Sequence, residues 1–336
     1  MAIEFQVLGG AGEDNAAFVR VTTGQAIHRL LFDCGEGCPG AVPNAELLQL
    51  DHLCFSHFHM DHVAGFDSLF RRVYDRETKR NCVWGPPGTR AVLHHRLQGF
   101  LWNLVAGKHV PWFVHDIHPD GVQVERFELS EQFATAHPEA GQGRTSELLF
   151  SHPDYSLSAF TMNHGTPSMA YLVREVDRVN VNTDRMAARG WKPGPWLKRV
   201  RGTPAGPGEV VEVSGTAHSL AEVQAELLTL TSGDSLAYLT DFRMDGPAVD
   251  YLVERLRGVG TIICESQYRP ADVDLAVANK HMVATEAATL AARCGARQLV
   301  LFHVSDRYPP HEWGDMLREA KAVFPRTEFP PHWGRF

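Results

Sequence analysis

Three histidines and an aspartate fall within the six positions from His57 to His62, in the stretch SHFHMDHVAG. A cluster of this kind binds a metal, supplies the base for a nucleophile, or does nothing. His57 and His59 lie two apart on an extended segment, so their side chains point the same way and can grip one ion. Asp61 and His62 follow where the chain turns into a helix, and they can face a second ion beside the first. One turn of chain cannot saturate two metals, so this reading demands further ligands at the ends of other strands. The sequence offers His164 after LSAFTMN, Asp241 after SLAYLT and His303 after QLVLF, each where an apolar run stops and a sheet presents side chains to a cleft. Imidazole and carboxylate donors suit zinc best and also accept manganese or iron.

The elements that must position these residues alternate short apolar runs with helical ones. EFQVLG, FVRVTT, RLLFDCG and HLCFSH have strand length and turn-like punctuation, and FDSLFRRVYDRE has helical spacing at Phe66, Leu69, Phe70 and Val73. Toward the C-terminus SLAYLTD, TIICES and QLVLFHVS read as buried strands between the helices GPAVDYLVERLRG and ATEAATLAARCGA, the second ending at Gly295. Each half supplies strands and packing helices, which predicts a layered α/β sandwich in one domain over 1–336. The Gly- and Pro-rich stretches 138–146 and 187–216 read as excursions from its core.

Composition narrows the classes. With 336 residues, 44% hydrophobic and 21% charged, the chain is an ordinary globular one. No stretch approaches the roughly 18 consecutive apolar residues of a membrane-spanning helix. The opening MAIEFQVLGGAGEDN has no basic region before an apolar run and reads as a first strand and glycine turn, so a cytoplasmic protein is expected. Its six cysteines lack C-x-x-C spacing and read as reduced, buried thiols. The net charge of −8 gives no global attraction to nucleic acid. Between Asp184 and Arg201, however, stand six basic residues and one acid, interleaved with Trp191 and Trp196, which suits an arm touching an RNA backbone.

Together, His57-x-His59-x-Asp61-His62, His164, Asp241 and His303 resemble the metallo-β-lactamase superfamily. Within it LLFDCGEG, HGTPSMAYLV, LVLFHVSDRY and KPGPWLK resemble segments of the ribonuclease Z family, the tRNA 3′-processing endonucleases, and the likeness spans roughly residues 3 to 310. The resemblance implies an αβ/βα four-layer sandwich with a projecting arm, here 185–208, in which Lys198 and Arg199 bind substrate. It implies two zinc ions, one held by His57, His59 and His164, the other by Asp61, His62 and His303, with Asp241 bridging. A di-zinc-activated hydroxide would then cut the 3′ trailer from precursor tRNA to leave a 3′-hydroxyl, Asp61 helping to accept the water's proton. His281, held by Glu265, matches the family's proton donor to the leaving oxygen, and Arg307 matches its phosphate-binding arginine. It also implies a homodimer in which one subunit's arm reaches tRNA at the other's metal site.

The chain departs from the family pattern at Met282 and Val283, in place of Ser-Thr, at Phe242, in place of Asp-Thr after the bridging aspartate, and at Met60, in place of a glycine. None of these removes a metal ligand, and they bear on the substrate more than on the hydrolysis. With the acidic net charge and the aromatic segment between His94 and Gln132, Met282 and Val283 favour a rival reading, a di-zinc hydrolase of a cyclic nucleotide, another small phosphodiester or a lactone. Asp33 reads as a strand-end carboxylate bonding the ligand loop. The remaining histidines, His115 among them, read as surface or loop residues.

Overall fold

The computed structural model describes residues 3–334 apart from Gly24, Ala106 and Thr203. The chain divides into two compact units, Met1–Arg174 with Asp234–Phe336, and Glu175–Gly233.

Two sheets form the larger unit. The first holds eight strands in chain order: Ile3–Leu8, Ala16–Thr22, Ile27–Phe32, His52–Cys54, Asn81–Gly85, Pro111–Ile117, Gly121–Glu128 and His137–Gly143. Short turns join its first three strands antiparallel, whereas helical connections let the next three run parallel to Ile27–Phe32. The second has seven, in the order Thr327–Glu328, Gln298–Phe302, Thr261–Glu265, Ser235–Leu239, Pro167–Glu175, Tyr155–Asn163 and Leu148–Ser151.

Strand periodicity explains the layering. Along Gln298–Phe302, Val300 and Phe302 enter a core shared with Phe32, Tyr171 and Tyr238, drawn from both sheets. Leu299 and Leu301 point to the other face and pack with Leu290, Ala291 and Met316 of helices Ala284–Cys294 and Pro310–Val323. A continuous apolar run is therefore a strand buried on both faces. On the outer face of the first sheet, helix Phe66–Val73 lays Phe66, Leu69, Phe70 and Val73 against Leu31 and Leu53. The result is helix, sheet, sheet, helix: the four-layer α/β sandwich.

Two stretches differ from the expectation of excursions. His137–Gly143 is the edge strand of the first sheet, paired with Gly121–Glu128, and from Pro138 onward its side chains are exposed. With no buried face it has no alternation to betray it. Residues 185–208 belong to the longer unit Glu175–Gly233, which has its own small core of Met186, Val200, Val211, Val213, Leu220, Val223 and Leu227. Ribbons Arg178–Val181 with Leu228–Thr231, and Val210–Val213 with Thr216–Ser219, complete that unit. Among the described residues no helix is long and apolar enough to cross a membrane.

Candidate metal centre

The expected ligands do stand at strand ends, and the backbone shows how the chain leaves the sheets. Asp33, Asp241 and His303 follow buried strands and take φ values of 57°, 51° and 52°. That left-handed region is uncommon for residues other than glycine and is tolerated where the surroundings enforce it. The motif from His57 to His62 runs from strand His52–Cys54 into the short helix Met60–Val63.

The side chains converge on Asp241, which is 1% exposed. Its Oδ2 lies 3.4 Å from His62 Nε2, 3.6 Å from His164 Nε2 and 3.7 Å from His57 Nε2, and its Oδ1 lies 3.7 Å from His303 Nδ1. Asp61, with its side chain 41% exposed, stands 3.3 Å from both His62 Nε2 and His303 Nε2. His59 completes the group, its ring 4.4 Å from that of His57 and 5.0 Å from that of His164. One donor atom each from His57, His59, His164 and Asp241 falls within 4.8 Å of the others, and the same holds for Asp61, His62, Asp241 and His303.

These donors fit a metal. His57 Nε2, His62 Nε2 and His303 Nδ1 are buried without a hydrogen-bond partner, a state that costs free energy unless something else satisfies them. Donors on one tetrahedral zinc stand about 3.3 Å apart, close to the spacing around Asp241. At His57 electrostatics agrees: burial presses the imidazole toward its neutral, ligand form, down to about 2, with His62 adding to the effect. Burial also opposes charge on His62 and His303, but Asp241 with Asp33, and Asp241 with Asp61, outweigh it and raise both. Asp241 is held well below the usual carboxylate range, because the surrounding His303 and His62 overcome the burial that would raise it.

A second ring of contacts orients the ligand candidates. Asp33 accepts from Ser56 N at 2.6 Å and from Ser56 Oγ and the Tyr238 hydroxyl at 2.8 Å, and its Oδ2 lies 2.9 Å from His62 Nδ1. That bond fixes the ring so that Nε2 faces Asp241. His57 Nδ1 pairs with Ser56 Oγ at 3.0 Å, and His164 Nδ1 donates to the Lys280 carbonyl at 3.0 Å. The Asn15 side chain accepts His303 N at 3.1 Å, and Thr240 Oγ donates to Asp241 at 2.6 Å. Of these contacts only Asp33 is suggested by sequence. Tyr238 sits in a run that reads as plain core, and the Lys280 carbonyl leaves no signal in residue type.

His281 and Glu265 come together as expected, Nδ1 to Oε2 at 2.8 Å, beside Asp241 at 3.9 Å. Burial disfavours the imidazolium, but the charge and hydrogen bond of Glu265 outweigh it and lift His281 to about 9. Arg243 buttresses this segment: it grips Glu286 with both terminal nitrogens and donates to the His281 carbonyl at 3.0 Å. Arg307 is exposed, its guanidinium 5.6 Å from the Tyr268 ring, which lies 6.0 Å from that of His281.

The departures from the family pattern have a physical explanation. Phe242 and Met282 are fully buried in the core outside the second sheet, Val283 nearly so, and Met282 Sδ lies 3.4 Å from Cys264 Sγ. They fill the core instead of lining the cleft. Met60, by contrast, is 81% exposed beside the ligand candidates His59 and Asp61.

In the smaller unit Arg189 pairs bidentately with Glu226 at 2.6 and 2.9 Å, Arg185 donates to the Glu226 carbonyl, and Arg199 pairs with Glu209. Lys192, Lys198 and Arg201 are exposed. His115, expected at the surface, is buried, stacked 3.8 Å from Trp84 and bonded through Nδ1 to the Val83 carbonyl. A separate trio, His28, His152 and Asp154, is already engaged internally: His28 Nε2 bonds Asp154 at 2.8 Å, and His152 Nδ1 accepts the Asp154 N–H.

Comparison with known proteins places the fold and the family. A family model described as the Beta-lactamase superfamily domain matches residues 28–172. Among solved structures, the metallo-β-lactamase fold protein YhfI from Bacillus subtilis superposes with a TM-score of 0.55 at 17% identity, covering 98% of this chain and 96% of that one. The short form of human tRNase Z gives 0.51 at 18% identity, with 90% and 93% covered. At these identities the likeness is one of fold. Sequence reaches further: a ribonuclease Z of Deinococcus radiodurans is 44% identical over 329 residues, 98% of both chains. Identity of that degree, carried through both units of the fold, means that the chain belongs to the ribonuclease Z family.

Proposed function

We propose that this protein is a metal-dependent endoribonuclease that removes the 3′ trailer of precursor tRNA. The observation that carries the reading is the hydrogen-bonded His281–Glu265 pair beside seven converging metal-ligand candidates, a proton donor next to a phosphodiester-binding centre. His57, His59 and His164 would hold one ion and Asp61, His62 and His303 the other, with Asp241 between them. Ions bound there supply Lewis acidity at the scissile phosphate and lower the pKa of the attacking water. Zinc is the reading the donor set favours.

The chain's own groups do the rest. Asp61, the most exposed acid of the centre, takes the proton of the attacking water. Arg307 binds the phosphate oxygens with its fork of donors. As the bond to the leaving 3′-oxygen breaks, His281 donates a proton to it, with Nδ1 anchored on Glu265. In the smaller unit Glu175–Gly233, Lys198 contacts the tRNA backbone, while Arg199 shares its charge with Glu209. Lys198→Glu should then lower kcat/KM for tRNA several-fold at low salt and much less at high salt; equal loss at both would refute the electrostatic role. A homodimer, which rests on the family resemblance, and a cytoplasmic setting complete the reading.

A paired turnover assay tests it, with a 3′-extended precursor tRNA in one reaction and bis(p-nitrophenyl) phosphate in the other. Single-site cleavage of the tRNA is expected. Hydrolysis of the diester with an inert tRNA would keep the metal chemistry and discard the RNA substrate.

A further inference from the structure

Lys280 joins helix Val273–Asn279 to the segment carrying His281, and its backbone is left-handed, at φ 58° and ψ 43°. Glycine enters that region freely and lysine does so at a cost. The conformation itself is accounted for, because it presents the Lys280 carbonyl to Nδ1 of the ligand candidate His164 at 3.0 Å. Glycine would present the same carbonyl without strain, so the carbonyl does not explain the lysine.

The side chain does something a glycine could not. It lies along Gly165, the residue after His164, so closely that a methyl group added there would stand 3.4 Å from Nζ and 3.6 Å from Cδ. The ammonium is thus held against the loop that carries a ligand of the centre. Among the described residues no carboxylate pairs with it, whereas nearby Arg243 is neutralised by Glu286. Arg307 lies over the Tyr268 ring, which neighbours that of His281, and Lys280 precedes His281 in the chain and lies along Gly165.

We infer that Lys280 Nζ binds an RNA phosphate flanking the scissile one, making it a substrate-positioning cation of the active site. The inference rests on the endoribonuclease reading above. An ammonium with three rotatable donors suits a phosphate whose orientation varies between substrates. It also makes the contact an electrostatic one, which salt weakens.

Lys280→Gly is the discriminating variant, because it keeps the left-handed backbone and the carbonyl and removes the side chain with its cation, and Lys280→Arg restores the charge. Cleavage of precursor tRNA would be measured across a series of potassium chloride concentrations. The expected result is a KM raised about tenfold and a slope of log kcat/KM against log salt shallower by about 0.7–1, with Lys280→Arg recovering the wild-type slope. A variant with wild-type KM and salt slope would overturn the inference, and so would a fall in kcat alone accompanied by loss of metal, which would assign the residue to His164. Wild-type protein inert on tRNA would overturn this inference together with the reading it rests on, whereas a cleaving wild type with an unaltered variant overturns this one alone.

Discussion

Asp241→Asn protein is expected to fold like the wild type, to lose most of its bound metal, and to cleave tRNA and a small aryl diester at less than about one-hundredth of the wild-type rate. Contacts that only orient a ligand are worth about 10–100-fold in metal affinity or activity, and Asp241 is placed to do more than orient. Among the described residues its carboxylate is the one group within 3.7 Å of His57, His62, His164 and His303 together, and it belongs to both candidate donor sets. Asparagine keeps the shape, accepts the Thr240 hydrogen bond and tolerates the left-handed backbone at φ 51°. It lacks the negative charge that the proposed metal ions would meet at the centre of the cluster. Asp241→Ala is the harsher variant, since a buried carboxylate that holds up the protonation of His62 and His303 is removed outright. Metal content by mass spectrometry, read beside a thermal melt, separates loss of ligand from loss of fold. Wild-type metal content in a folded Asp241→Asn protein would sink the bridging assignment.

The ligand candidates were legible because the first four crowd into one turn of sequence and the others each close an apolar run. The two-sided burial of strands such as Gln298–Phe302 made the sandwich legible in the same way, through unbroken apolar runs. Pattern fails where a side chain buries nothing, as in the edge strand His137–Gly143. It also fails where the contact is made by the backbone or by a lone hydroxyl, as with the Lys280 carbonyl on His164 and Tyr238 on Asp33. The basic stretch 185–201 shows a third kind of blindness. Charges add along a sequence, but in the fold Glu226 and Glu209, outside the stretch, engage Arg189 and Arg199 and offset part of its charge, whereas Lys192, Lys198 and Arg201 stay exposed.

His281→Ala should separate the two substrates. Cleavage of precursor tRNA expels a ribose alkoxide, a poor leaving group that needs a proton as the bond breaks, and loss of a positioned general acid costs about 100- to 10,000-fold. Bis(p-nitrophenyl) phosphate expels a stable phenolate, so the same variant should lose far less on it. Glu265→Gln should fall between wild type and His281→Ala on tRNA, because a neutral amide still meets Nδ1 at 2.8 Å but no longer supplies the charge that lifts the imidazole to about 9. The buried neighbours make the control necessary: the His281 ring lies 4.8 Å from that of His164 and 6.1 Å from that of His303, so truncating it disturbs the packing of both candidate ligands. A disturbance of the metal centre slows both substrates alike, whereas loss of a proton donor slows only the one whose leaving group needs it. Equal losses on tRNA and diester would therefore remove His281 from the chemistry and leave it a support for the ligands it touches.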